Sequence, residues 1–173
     1  MSDFFSLINE RESCRSYTGE HVEKELLLQC IEAARLAPST CNGQPWYFYL
    51  VLNDHLKGEM VKLTQPFTSK AAGFIVMLEE KPSLPTKFAN KFKEQDFTQI
   101  DLGIAASHIC LAATQLGLST CMIGWFREDK MKKLLGIPKN KRIRLVFSVG
   151  HAAKQEIRDK KRKELDKILT IID

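Results

Sequence analysis

Cysteine, aromatic residues and charge-free runs are all sparse in this chain of 173 residues, and each scarcity excludes something. The five cysteines (Cys14, Cys30, Cys41, Cys110 and Cys121) are odd in number and contain no CxxC pair. That fits free thiols in a reducing, cytoplasmic setting better than a disulfide framework or a zinc site. GxxxxGK[ST], GxGxxG and GxSxG are all missing, which removes the P-loop, the dinucleotide fingerprint and the nucleophile elbow. His21, His55, His108 and His151 lie scattered without ligand spacing, so no metal is expected. No aromatic ring follows Phe147, although residues 127–173 carry a net charge of +8 against −3 for residues 1–126. A basic third without rings to stack on bases argues for a small-anion site and against nucleic acid. The longest stretch free of Asp, Glu, Lys and Arg, residues 102–126, is interrupted by His108, Thr114, Gln115, Gly117, Ser119 and Thr120. It reads as a buried helix and strand, with no membrane span expected. The first fourteen residues have early acids and no apolar run behind basic residues, unlike a signal peptide.

What is present is ordinary globular material, 44% apolar and 27% charged, of a length that predicts one domain over residues 1–173. Apolar spacing predicts a short helix around Phe4, Phe5, Leu7 and Ile8 and a second from about Glu23 to Leu36, stopped by Pro38. Apolar runs predict strands at residues 46–52, 73–78, 119–126 and 142–149. A long helix is expected from a cap at Asp96 or Thr98 to Leu116, ended by Gly117, and another over residues 129–135. Residues 79–95 look irregular, and Leu165, Ile168, Leu169 and Ile172 give the tail a weak helical pattern. The expected class is α+β, with about four mostly antiparallel strands covered by helices.

Four segments could carry chemistry. In an extended Arg11-x-Ser13-x-Arg15, two guanidiniums and a hydroxyl share one side, a surface for an anion or for solvent. Pro38-Ser39-Thr40-Cys41-Asn42-Gly43-Gln44-Pro45-Trp46 is a stiffened polar loop before a buried strand, suited to a ligand or to a well-capped turn. Met122-Ile123-Gly124-Trp125-Phe126 places glycine beside two aromatics, which allows close backbone approach or a bulge. Lys160-Lys161-Arg162-Lys163 is a basic cluster in the tail.

Taken in order, these segments resemble the FMN-dependent nitroreductase family, together with Asp101-Leu102-Gly103-Ile104-Ala105-Ala106, Leu116-Gly117-Leu118 and Val149-Gly150-His151. The resemblance spans nearly the whole chain. It implies an interlocked homodimer with one FMN in each of two composite interface sites, the tail of residues 151–173 contributing to both. By motif match, Arg11 and Ser13 would hold the phosphate with Lys160 and Arg162, and Glu12 between them would belong to the same cofactor-binding segment. Arg15 would meet the pyrimidine end, and Pro38, Ser39, Thr40 and Asn42 would approach from the other subunit. Ile123, Gly124 and Trp125 would line the ring, with the Gly124 N–H directed to N5 or O4. Gln65 is the substitute for a polar pair that many members carry before the second core strand. The implied reaction is ping-pong hydride transfer from NADH or NADPH through FMN to a nitroaromatic, quinone or enone, with no catalytic side chain required. Phe88, Phe92, Trp125 and Phe126 are candidates to stack on donor or acceptor, or to pack in the core. Dehydrogenation or reductive dehalogenation on the same fold, and non-catalytic FMN binding, are the alternatives.

Overall fold

In a computed structural model, residues 3–154 and 156–173 are described; Met1 and Ser2 of the start read above, and Gln155 of the tail, lie outside them. Asp3 caps the first helix, α1 (Phe4–Glu10), by accepting from the N–H groups of Phe5 and Ser6 at 2.7 and 3.3 Å. The second, α2 (Lys24–Arg35), buries Leu27, Cys30 and Ala34, the apolar face that its spacing predicts. The strands are β1 (Trp46–Val51), β2 (Gly73–Glu79), β3 (Ser119–Ile123) and β4 (Arg142–Gly150). They form one sheet in the order β1-β2-β4-β3, every pairing antiparallel.

The sheet is covered on both faces, which explains why β2 is apolar at every position but its last. Ile75 and Met77 face a core shared with α2 and with α5 (Phe97–Gln115), where Leu27, Cys30, Ala105, Ile109 and Ala113 lie fully or almost fully buried. Phe74, Val76 and Leu78 face the opposite core, filled by Met60 of α3 (Asp54–Leu63) and Met131 of α6 (Glu128–Leu135). Burying each such side chain is worth about 1.5–3 kcal/mol.

Four local expectations are corrected. Residues 84–93 of the stretch read as irregular form a helix, α4 (Leu84–Lys93). The α5 N-terminus is not capped by Asp96 or Thr98: Asn90 Oδ1 accepts the Phe97 N–H at 3.1 Å. The third strand ends at Ile123, three residues before Phe126. Among the described residues the tail holds only a short 3₁₀ turn, Leu165–Lys167, because its apolar residues stay largely exposed, Ile172 by 92%, and give a helix no face to bury.

Candidate functional site

Beyond α1 the backbone extends beside the free edge of β3. The Cys14 N–H donates to the Thr120 carbonyl at 2.9 Å, and Ser13 and Thr120 form a parallel bridge. Alternation then turns Cys14 inward, 5% exposed, and leaves Arg11, Ser13 and Arg15 on the outer side. Tyr17 pins the end of the segment. Its ring is buried and its hydroxyl lies 2.8 Å from Ser148 Oγ and 3.1 Å from the Ser148 carbonyl. Burial pushes its pKa well up, so it stays a neutral phenol.

The chain returns to this segment after β4. Thr18 N–H donates to the His151 carbonyl at 3.0 Å, Ala153 N–H to the Ser16 carbonyl at 2.9 Å, and Tyr17 bridges Ala152. Residues 158–162 thereby close over residues 11–15 around a cavity of about 350 Å³, lined by Arg11, Glu12, Ser13 and Arg15 and by Arg158 to Arg162 of the tail. Arg158, absent from the sequence reading, is the clasp. Its Nε donates to Glu12 Oε2 at 3.0 Å and its Nη2 to the Ser13 carbonyl at 2.8 Å. Glu12 is thus engaged by the tail, and Lys160 Nζ reaches the Asn9 carbonyl. Six basic side chains face two acidic ones around this cavity. Among the described residues the guanidiniums of Arg11 and Arg15 have no ion-pair or hydrogen-bond partner, so they are free to meet an anion.

A second group forms where β3 ends. Gln65 Nε2 donates to the Trp125 carbonyl at 3.3 Å, and the Arg127 N–H donates to the Leu63 carbonyl at 2.9 Å. These bonds hold residues 124–127 against the turn after α3. A Cβ built on Gly124 would meet nothing within 4 Å, so the space beside it is open. Trp125 is 85% exposed, whereas the Ile123 side chain is buried in the core. Phe88 and Phe92 of α4 are exposed and stacked on each other, centroids 5.5 Å apart.

The third group, residues 38–44, lines none of the cationic cavity. It holds a tight turn, Thr40–Asn42, and within the group Cys41, Asn42 and Gln44 have φ of 52°, 51° and 43°. Left-handed conformations in non-glycine residues cost about 1–3 kcal/mol each unless their surroundings hold them. The hold is local and dense. Asn42 N–H donates to the Ser39 carbonyl, Gly43 N–H to the Thr40 carbonyl and Gln44 N–H to Ser39 Oγ, all at 3.0 Å. Thr40 is fully engaged, its N–H and hydroxyl on Asp101 Oδ1 and its carbonyl accepting from Thr86 Oγ1. Asn42 uses Oδ1 toward Gln44, and among the described residues its side-chain nitrogen donates to no atom of the chain. Pro38, before the turn, is exposed.

Burial raises the pKa of the Cys14 and Cys121 thiols behind residues 11–15, so neither is an activated nucleophile. Among the described residues no group of three or more His, Cys, Asp or Glu could hold a metal ion, and no helix is long and apolar enough to cross a membrane.

The Nitroreductase family model matches residues 8–73 and 53–151 of the chain. The oxygen-insensitive NADPH nitroreductase of Helicobacter pylori strain J99 is 27% identical, over 94% of this chain and 93% of its own length. The FMN reductase (NAD(P)H) of Bacillus subtilis strain 168 is 31% identical, over 80% of this chain and 61% of its own length. Among solved structures, a nitroreductase family protein from Streptococcus pneumoniae TIGR4 has the same fold. It matches with a TM-score of 0.85 and 24% identity, covering 98% of this chain and all of that one.

Proposed function

Because the chain belongs to the nitroreductase family, we propose that it is a flavin oxidoreductase that uses FMN and takes electrons from NADH or NADPH. The observation that carries this reading is the cationic cavity between residues 11–15 and the tail, with Arg11 and Arg15 unpaired. A phosphate monoester, a dianion, fits it: Arg11, Ser13, Lys160 and Arg162 supply charged and hydroxyl donors, and Arg158 keeps the tail in place. Hydride transfer between NAD(P)H and an oxidised acceptor is the chemistry FMN supplies when bound. Arg15 would place a fixed cation where negative charge gathers on reduction. The open space at Gly124 would let a backbone N–H reach the ring, with Gln65 fixing the Trp125 carbonyl beside it. No side chain need act as acid or base.

Ser39, Thr40 and Asn42 stand apart from the cationic cavity, which suits a site completed by a second copy of the chain. The exposed Leu165, Ile168, Leu169, Ile171 and Ile172 of the tail, and Phe4 and Phe5 of α1, supply apolar surface for such a homodimer. The relatives named NADPH nitroreductase and FMN reductase support the reaction class. Five free cysteines suit a cytoplasmic enzyme. The acceptor we favour is a nitroaromatic, quinone or enone.

The protein as purified should be yellow, or turn yellow on incubation with FMN. Flavin carried through purification should be FMN and not FAD, and the protein should oxidise NADH or NADPH when menadione or a nitroarene is added. Protein that stays colourless, or that holds mainly FAD, overturns the cofactor. Turnover only with a halogenated phenol would move the reading to dehalogenation.

A further inference from the structure

Asp101 is the only carboxylate among the described residues that is fully buried, 1% exposed, and no basic side chain lies within ion-pair distance of it. Its Oδ1 accepts both the N–H and the hydroxyl of Thr40 at 3.0 Å, across 61 residues of sequence. Its Oδ2, also buried, has no partner among the described residues, and neither has Thr98 Oγ1 one turn earlier on α5. A buried carboxylate without a cation is costly, and a position selected for stability alone would hold an apolar side chain. The gain must lie in what the carboxylate grips. It grips Thr40, whose N–H, hydroxyl and carbonyl are all used within the chain, at the entrance to three left-handed positions.

Thr86 closes the grip from the other side. It is buried, belongs to the first turn of α4, and donates its hydroxyl to the Thr40 carbonyl at 3.1 Å. Gly43 has no room to spare there, since a Cβ on it would lie 2.9 Å from Thr86 Oγ1 and 3.1 Å from the Thr40 carbonyl. The turn is clamped between α5 and α4.

Resting on the function proposed above, we propose that Asp101 is a positioning residue. By holding Thr40 it keeps residues 40–44 in the shape that presents Ser39 and Asn42 to the flavin. Thr86 makes the same hold dependent on the seating of α4. The carboxylate itself touches no cofactor.

The grip is read directly by hydrogen–deuterium exchange of flavin-free protein at the amides of Thr40, Asn42, Gly43 and Gln44. Asp101→Ala removes both bonds to Thr40, and each loss of about 1.4 kcal/mol is a tenfold change, so exchange there should rise at least about tenfold. Sheet amides should be unaffected, and Asp101→Asn, which keeps one oxygen acceptor, should fall between. If Asp101→Ala does not fold, Thr86→Val carries the same test, with faster exchange at the same four amides. In the variants that fold, the Kd values for FMN and for riboflavin should both rise by a similar factor, because the phosphate-binding cations are untouched. A role in stability alone would lower the thermal midpoint and leave these exchange rates and the Kd values unchanged. Unchanged exchange at residues 40–44, or faster exchange with unaltered flavin affinity, overturns the proposal. Failure of the unsubstituted protein to bind flavin would refute the cofactor reading instead, and the exchange data are independent of it.

Discussion

Arg15 and Arg162 carry the same charge on two walls of one cavity, yet their substitution should read out differently. Only an interaction that differs between oxidised and reduced cofactor moves a redox potential. Arg15→Ala should therefore lower the flavin midpoint potential, whereas Arg162→Ala should mainly raise the FMN Kd and leave the potential in place. Spectroelectrochemistry with fluorescence titration measures both, and the opposite pattern would reverse the two roles. At this scale the sequence was informative where residues sit close together along an extended backbone, as Arg11, Ser13 and Arg15 do. It was silent on Arg158, one basic residue among many in the tail, which stands out only once the chain has folded back beside residues 16–18. Asp101 could be read as part of a motif, but its task depends on a contact with Thr40 that no local pattern encodes.

Among the elements, legibility followed how much of its own stabilisation each one carries. The apolar stripe of α2 and the apolar β2 are visible because burial writes them into composition. By contrast, α3 buries only Met60, contains Gly58, and stands through the Asn53 cap and its packing on α6. Pro82 and Pro85 made α4 look irregular, yet a proline in the first turn gives up no helical hydrogen bond, and Ser83 supplies the cap. At the start of α6, burial pushes the pKa of Glu128 up. Hydrogen bonds from Lys132 Nζ at 2.9 Å and the Ile143 N–H at 3.0 Å, with Arg142 at 3.1 Å, outweigh that and hold it below its ordinary value. A lowered carboxylate pKa stabilises the fold above the unfolded value, near about pH 4.3, and that contribution is lost as pH falls through the folded value. Glu128→Gln should thus lower the urea midpoint at neutral pH, and the gap from the unsubstituted protein should narrow as pH drops toward about 3. A gap that stays constant with pH would mean that packing, not charge, sets the effect.

For the whole molecule, the separation of the Thr40–Asn42 turn from the cationic cavity sets up a test of assembly. Arg11→Ala with Arg15→Ala disables one half of the proposed site, and Ser39→Ala with Asn42→Ala disables the other. Each variant alone should be nearly inactive. Co-folded in equal amounts, half of the dimers are mixed and each holds one undamaged site, so about a quarter of the original activity should return. No recovery, with mixed dimers verified by mass, would mean that each site is built within one chain. The motif order made the sheet and its coverings readable, but a partner's contribution has no signature in a single chain beyond exposed apolar surface. The surplus of cations around residues 11–15 and 158–162 also has a kinetic side. Such a concentration of one sign draws an oncoming dianion from beyond contact distance, an attraction that added electrolyte shortens to about 10 Å at 0.1 M. Capture of the proposed phosphate-bearing ligand should consequently be fastest in dilute buffer. Its release, governed by short contacts within the cavity, should respond far less to ionic strength.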